Sequence, residues 1–233
     1  MGPCLSLACG GGNPEPGTSS TRSTASGGGR TLASSPKDGV ATFYDADGSG
    51  NCSFDASPGD LDVTAMAMPE YDASASCGAC LLVKGPKGEV TVRVTDSCPG
   101  CEGNGINLDL SAQAFAKIAD PKDGRIDVTY ELVSCATSGN VAYRFKDGSS
   151  KWWTAIQVQN HRVPVAKLEY RKDGAWVAMS RESYNYFVEA NGVGDQPGGL
   201  TLRVTAADSQ VIEETLAGGV EAEKIVRGTK QFN

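Results

Sequence analysis

The chain has 233 residues, 39% of them hydrophobic, with 21 Lys and Arg against 28 Asp and Glu, a single His and eight Cys. No stretch approaches the 18 or more uncharged apolar residues of a spanning helix, which excludes a helical integral membrane protein. A net charge of −7 argues against a binder of nucleic-acid backbones, whose affinity comes from Lys and Arg, and 29 Gly with 11 Pro favour turns and short strands over long helices.

Residues 1–38 hold eight Gly, seven Ser, four Thr and four Pro, and almost nothing apolar follows Cys9. Such a segment buries too little surface to offset its ordering entropy, which predicts a flexible tether. Its start, Leu5-Ser6-Leu7-Ala8-Cys9 followed by Gly10-Gly11-Gly12, is similar to the end of a bacterial lipoprotein signal with an acylated cysteine. The apolar part is short for a signal and Ser6 stands where Leu is usual; both count against the lipoprotein reading, and a true start upstream is one explanation. The bland alternative is a low-complexity tail with two free thiols at Cys4 and Cys9.

Residues 39–136 carry 15 acidic and 6 basic side chains, a net of −9, and six of the eight cysteines. Glu89-Val90-Thr91-Val92-Arg93-Val94-Thr95 and Ile126-Asp127-Val128-Thr129-Tyr130-Glu131-Leu132 alternate as strands, and Lys84-Gly85-Pro86-Lys87-Gly88 is a turn, not a phosphate loop. Between the strands, Ser111 is placed to cap a short helix through Ala119, with Ala112, Phe115, Ala116 and Ile118 as its apolar face. A β-structure with one short helix predicts a small barrel. Residues 137–233 carry 11 acidic and 12 basic side chains, a net of +1, and no cysteine. Lys167–Tyr170 and Ala175–Met179 flank Asp173-Gly174, a hairpin signal, and Leu200–Thr205 alternates again, which predicts a β-sandwich. The composition shift implies two domains meeting near Ala136–Asn140.

Cys77-Gly-Ala-Cys80 and Cys98-Pro-Gly-Cys101 have the spacing of a zinc ribbon, and on spacing alone zinc is favoured. Cys52 and Cys135 would then stay unused. Six cysteines confined to one domain behind a secretory-looking start fit three disulfides in an oxidising compartment better. His161, the only histidine, excludes a multi-histidine metal site, and it reads as a structural residue of the sandwich.

Gly39-Val40-Ala41-Thr42-Phe43-Tyr44, Val94-Thr95-Asp96-Ser97-Cys98-Pro99, Asn107-Leu108-Asp109-Leu110-Ser111 and Ser149-Ser150-Lys151-Trp152-Trp153-Thr154-Ala155-Ile156-Gln157-Val158-Gln159-Asn160-His161 together resemble a microbial expansin from about Gly39 to Phe232. The resemblance implies an all-β chain. A six-stranded double-psi β-barrel over 39–136 would be followed by an immunoglobulin-like, cellulose-binding sandwich over 137–233, behind a signal remnant and tether over 1–38. It implies pairing of Cys52 with Cys77, Cys80 with Cys135 and Cys98 with Cys101, the last a tight loop at the groove floor where cysteine-poor relatives have a tyrosine. It also implies that Asp109 is the carboxyl essential for loosening, with Asp96, Thr42 and Tyr44 as groove neighbours. The competing role for Asp109 is a helix cap near Leu110.

Hydrolysis by inversion needs a second carboxylate about 6.5–9.5 Å from the acid. The position that supplies it in the similar glycoside hydrolase family 45 is Ala46 here, flanked by Asp45 and Asp47. If strand geometry persists, alternation points both flanking carboxylates away from the groove; if the chain turns there, one of them is available. The expectation is no endoglucanase activity. In the sandwich the resemblance makes Trp152, Trp153 and Tyr184 a linear platform for glucan rings, with Lys146 hydrogen-bonding nearby. Exposure of both adjacent tryptophans requires a loop or bulge, whereas Trp176 and Tyr170 fit the core.

The expected function is non-enzymatic loosening of cell walls by a secreted monomer, without cofactor or metal, whose partners are cellulose and other β-glucans. Anchoring through an acylated Cys9 is a further expectation. Two other functions stay open at this point: a glycan-cleaving enzyme of the same barrel superfamily, either an endoglucanase or a peptidoglycan lytic transglycosylase, and an inert carbohydrate-binding protein. The acidic barrel is expected to keep the protein off pectate near neutral pH.

Overall fold

Short alternating strands dominate both halves of the chain. The computed structural model describes Met1, Gly2, Leu32 and residues 35–233; Cys4, Cys9, the lipoprotein-like start and most of the proposed tether lie outside the described residues. The first six strands, β1 (Lys37–Tyr44), β2 (Val63–Ala67), β3 (Cys80–Gly85), β4 (Gly88–Cys98), β5 (Leu108–Ser111) and β6 (Ile126–Val133), close into a barrel in the order β1-β5-β2-β4-β3-β6. β1 with β5 and β2 with β4 run parallel, and the remaining neighbours run antiparallel. Lys37 and Asp38, which composition groups with the tether, are the first residues of β1 and pair with Tyr130 and Thr129. The barrel is filled by one phase of each strand, including Val83, Val92, Val94, Leu108 and Leu110, all fully buried. Helix α1 (Met68–Tyr71) follows β2, and α2 (Ala112–Ile118) follows β5.

α2 begins where sequence places it. Ser111 accepts a hydrogen bond from the Ala114 amide, 3.0 Å, and its hydroxyl donates to the Leu61 carbonyl. Ala114, Phe115 and Ile118 are buried, and Phe115 packs on Phe43 with ring centroids 4.7 Å apart. With Ser111 as the cap, Asp109 is no cap at all: it sits inside β5.

The rest of the chain forms two packed sheets. One takes β9 (Val165–Lys172), β10 (Ala175–Ala178), β13 (Leu200–Ala206) and β14 (Val211–Leu216) in the order β10-β9-β13-β14. The other takes β7 (Ala142–Phe145), β8 (Thr154–Gln159), β11 (Ser180–Arg181), β12 (Phe187–Glu189) and β15 (Ile225–Arg227) in the order β11-β12-β8-β7-β15. Leu200, Leu202, Val204 and Ala206 point into the core while Thr201, Arg203 and Thr205 do not, the alternation of a sheet covered on one side. Tyr170 is core, as expected, but Trp176 is not. It pairs with Arg171, and its ring lies 5.2 Å from the Arg171 guanidinium and 4.5 Å from that of Arg203, on the outer face.

Disulfides join Cys52 to Cys77, Cys80 to Cys135 and Cys98 to Cys101, the pairing that the resemblance implies, so the zinc-ribbon use of these cysteines does not arise in this state. Barrel and sandwich meet across a polar seam. Gln157 Nε2 donates to the Cys52 carbonyl, 2.8 Å, Asn185 Nδ2 donates to the same oxygen, 3.0 Å, and Arg144 pairs with Asp55, 2.7 Å. His161 is buried against Gly78, where an added Cβ would lie 2.7 Å from the imidazole; with φ of +73°, that position accepts only glycine.

Candidate glucan-binding groove and aromatic platform

Strand register assembles the groove. Thr42 of β1 is opposite Asp109 of β5, Asp109 is opposite Ala65 of β2, and Ala65 is opposite Asp96 of β4. Thr42, Asp109, Ala65 and Asp96 therefore form one row across four adjacent strands, about 4.8 Å apart from strand to strand. Because side chains alternate, Leu108 and Leu110 enter the core and Asp109 between them cannot. The Thr42 hydroxyl donates to Asp109 Oδ1 at 2.6 Å. Burial pushes the Asp109 pKa up and this hydrogen bond opposes it, leaving a carboxyl that holds its proton more tightly than a free aspartate.

Asp96 is fixed from one side by the backbone. Its Oδ1 accepts from the Asn51 amide, 2.7 Å, and from the Ser97 amide, 2.8 Å. Gly50 permits this approach, since a Cβ there would sit 2.4 Å from Asp96 Cγ. Tyr44 lies two residues beyond Thr42. Burial first, then the carboxylates of Asp96, Asp109 and Asp47, push its pKa up to about 12, with Thr95 opposing, so the phenol stays neutral. Its hydroxyl is buried with no partner among the described residues, an unmet polar atom of the kind that a ligand or water satisfies.

β1 ends at Tyr44, so strand alternation does not govern Asp45 or Asp47. Ala46 is buried, Asp45 and Asp47 are exposed, and Asp47 Oδ1 accepts from the Ser49 amide, 2.9 Å, and hydroxyl, 2.6 Å. These two bonds hold Asp47 below the usual carboxylate range. A concavity elsewhere on the barrel is lined by Lys37, Glu70 and Tyr130 and by none of the groove residues. Glu70 there accepts from Tyr130, Asn107 and Lys37, and these bonds outweigh burial to keep it ionised. A carboxylate so fully partnered braces the barrel.

The aromatic residues of the sandwich lie on turns. The β7–β8 connection closes with a bridge between Ser150 and Trp153, leaving Trp152 at its tip, 72% exposed, and Trp153 partly buried at the entrance to β8. This is the loop that exposure of two adjacent tryptophans requires. Gly192, φ +68°, buttresses it: a Cβ there would lie 2.0 Å from the Lys151 carbonyl oxygen, and Gly194 donates to that oxygen at 3.0 Å. Tyr184 sits on the β11–β12 turn. Its ring lies 5.9 Å from that of Tyr186, over which Lys146 Nζ stands 5.9 Å from the centroid. Phe187 pairs with Ile156 and Glu189 with Thr154, so the two turns lie at opposite ends of β8, with Lys146 between them. At 3.3 Å per residue the aromatic line spans roughly 15–20 Å.

The Tyr184 turn is also where the sandwich meets the groove. Its carbonyls accept from the barrel: Glu182 from Ser74, 2.7 Å; Ser183 from Tyr71, 2.8 Å, and from Asn51 Nδ2, 3.2 Å; Tyr184 from Ser53, 2.9 Å. Asn51 thus holds Asp96 with its backbone and the Tyr184 turn with its side chain. Sequence reasoning misses Asn51, because neither contact leaves a local signal. It also leaves unexplained Gln157 and Asn160 of the Gln-Val-Gln-Asn-His segment. Gln157 grips the barrel, and Asn160 Nδ2 holds the Ser138 and Asn140 carbonyls of the connection at 2.8 Å each.

Comparison with known proteins finds relatives across most of the chain. A family model described as lytic transglycolase matches residues 37–130. The chain is 42% identical over 184 residues to Expansin-YoaJ of Bacillus subtilis, covering 77% of each protein. It is 31% identical over 205 residues to Expansin-like protein 5 of Dictyostelium discoideum, covering 83% of this chain and 84% of that one. Among solved structures it resembles the apo expansin of Clavibacter michiganensis, with TM-score 0.76, 34% identity and coverage of 85% of this chain and 98% of that one. A mutant of that Clavibacter expansin in complex with cellohexaose aligns with TM-score 0.77 and 33% identity, with the same coverage.

Proposed function

The chain belongs to the expansin family, and we propose that it loosens cell walls by gripping cellulose with the sandwich turns while the barrel groove competes for glucan–glucan contacts. It is a non-enzymatic protein of the extracellular wall. The row Thr42–Asp109–Ala65–Asp96 carries the groove reading: one half-buried carboxyl hydrogen-bonded to Thr42, in line with a second carboxylate across four adjacent strands. Asp109 in its protonated form donates to a glucan hydroxyl oxygen, and Asp96 and Thr42 exchange hydrogen bonds with the same chain. Each such contact replaces one between neighbouring glucans, so a locally separated strand is stabilised without breaking a bond.

Trp152, Trp153 and Tyr184 supply flat apolar faces for the axial C–H groups of glucose, with Lys146 beside them. The exposed Trp152 has most to gain from being covered. The protein acts as a monomer on β-glucans, and acylation at Cys9 would hold it at the cell that secretes it. Its acidic barrel turns it away from pectate.

The test is creep of a stretched cellulosic wall or paper strip with wild type and Asp109→Asn, run beside an assay for new reducing ends on amorphous cellulose and mixed-linkage glucan. Creep that vanishes in the variant with no reducing ends released by either protein supports the proposal. Sustained release of reducing ends that Asp109→Asn abolishes would instead make the protein a hydrolase.

A further inference from the structure

The Cys98–Cys101 disulfide differs from the other two in where it lies. Cys98 ends β4 two residues after Asp96, so alternation projects it from the same face as the groove row. It is also the one disulfide cysteine that is not buried: Cys52, Cys77, Cys80, Cys101 and Cys135 are at most 7% exposed. The sulfurs of Cys98 and Cys101 and a carboxylate oxygen of Asp109 all lie within 4.8 Å of one another. The bridge closes a separation of only 3 residues, and its turn is held independently by backbone bonds from Cys101 N to Cys98 O, 3.2 Å, and from Ile106 N to Cys101 O, 3.0 Å. Opening it releases little chain entropy, whereas the other two bridges span separations of 25 and 55.

We propose that the groove holds a redox-gated site for a thiophilic divalent cation such as Zn²⁺, built from Cys98, Cys101 and Asp109 and formed only when this one disulfide is reduced. The reductant is a small dithiol. One of its thiolates attacks Cys98 Sγ, the Sγ–Sγ bond breaks, and Cys101 leaves as a thiolate that takes a proton. The second thiol of the reagent then displaces Cys98, so two electrons pass to the protein and the reagent becomes a cyclic disulfide. The cation binds the two cysteine sulfurs as thiolates, with release of their two protons to solvent, and takes one oxygen of Asp109 as third ligand and water as fourth. Cys-x-x-Cys is a bite that tetrahedral zinc accepts, and Thr42, hydrogen-bonded to Asp109 at 2.6 Å, orients the carboxylate from behind. Filling the site withdraws Asp109 from glucan. That consequence rests on the role given to Asp109 above, whereas the metal site does not.

The full chain is treated anaerobically with limiting dithiothreitol, desalted, and alkylated for mass spectrometry. Labelling at Cys98 and Cys101, with Cys52–Cys77 and Cys80–Cys135 intact, is expected. Titration of the unalkylated reduced protein with Cd²⁺ or Zn²⁺ should then give one ion per chain beyond that taken by the oxidised protein, a matching increase in the cadmium–thiolate absorption band, and metal-dependent protection of Cys98 and Cys101 from alkylation. The oxidised protein supplies the baseline for Cys4 and Cys9 and should show neither the added ion nor labelling at Cys98 and Cys101. Thr42→Val should weaken binding about 10–100-fold, and Asp109→Asn at least as much. First reduction of another disulfide, absence of stoichiometric metal on the reduced wild type, or undiminished binding by Asp109→Asn would each overturn the site. The protection measurement needs no variant, so a misfolded mutant does not obscure the result.

Discussion

The barrel and the sandwich present their candidate binding residues in opposite ways. In the barrel, Thr42, Asp109 and Asp96 lie on strands, their places set by register, with Asp109 half-buried and Asp96 pinned by two amides. In the sandwich, Trp152, Trp153 and Tyr184 lie on turns at the two ends of one strand, and Trp152 stands 72% exposed. The barrel also carries the chain's net negative charge and every described cysteine, while the sandwich is close to neutral. The difference matches two tasks. Competition for a glucan hydroxyl needs a polar group held still in a partly dry place, whereas adhesion to a crystalline face needs flat apolar area in the open.

Separating the tasks by substitution is the hardest test of this division. Asp109→Asn should abolish creep while leaving retention on microcrystalline cellulose and thermal stability nearly unchanged, because the amide oxygen still accepts from Thr42. Loss of retention along with creep would mean that the groove also supplies grip.

The next largest effect concerns the contact between the two units. Burial in the seam, reinforced by the neighbouring charges of Arg181 and Arg93, pushes His161 down to about 4 from 6.5. A depressed folded-state value means that its stabilising contribution is complete above pH 6.5 and is lost as pH falls toward 4. The shift corresponds to about 3 kcal/mol. Denaturant unfolding of wild type and His161→Gln at pH 7 and pH 4 should show the wild type losing about that much more than the variant. Parallel losses would show that the seam does not hold a neutral imidazole.

Much of this arrangement is legible in the sequence, and the exceptions have physical causes. Strands β4 and β6, the α2 cap and the Asp173-Gly174 hairpin are local, and each is written within about ten residues. Trp176 misleads because Ala175-Trp176-Val177-Ala178-Met179 is apolar in both phases, so a period of two cannot say which phase faces inward. Pairing of Val177 with buried Tyr170 decides it and sends Trp176 outward between two arginines. The row across β1, β5, β2 and β4 joins residues up to 67 apart, and only the barrel's strand order brings them together. Gly50 and Asn51 look like ordinary turn residues until the approach of Asp96 is known.

A smaller effect tests the sandwich alone. Trp152→Ala and Trp153→Ala should each weaken cellulose retention by about 1–2 kcal/mol, roughly 5–30-fold, from apolar area no longer covered. Unfolding midpoints should barely move for Trp152→Ala, since the ring covers little of the protein itself. Unchanged pull-down would remove the turn from the binding surface and leave the groove to do both tasks.

The smallest effect falls where the two regions touch. Asn51 donates to Asp96 through its backbone and to Ser183 and Tyr71 through its side chain, at 3.2 and 3.0 Å. Asn51→Ala keeps the first bond and loses the others, while Tyr71 still donates to Ser183, so the expected cost is about 1 kcal/mol in denaturant unfolding. Gly50→Ala acts on the other partner, because its Cβ would meet Asp96 at 2.4 Å and force that carboxylate from the row. If the groove and the platform act on one glucan chain, Asn51→Ala should lower creep while binding to cellulose holds, since the turn carrying Tyr184 keeps its rings but loses part of its registration to the groove. Gly50→Ala should lower creep with the seam intact. Creep unchanged in both would mean that barrel and sandwich work on glucan independently, and that the seam serves stability alone.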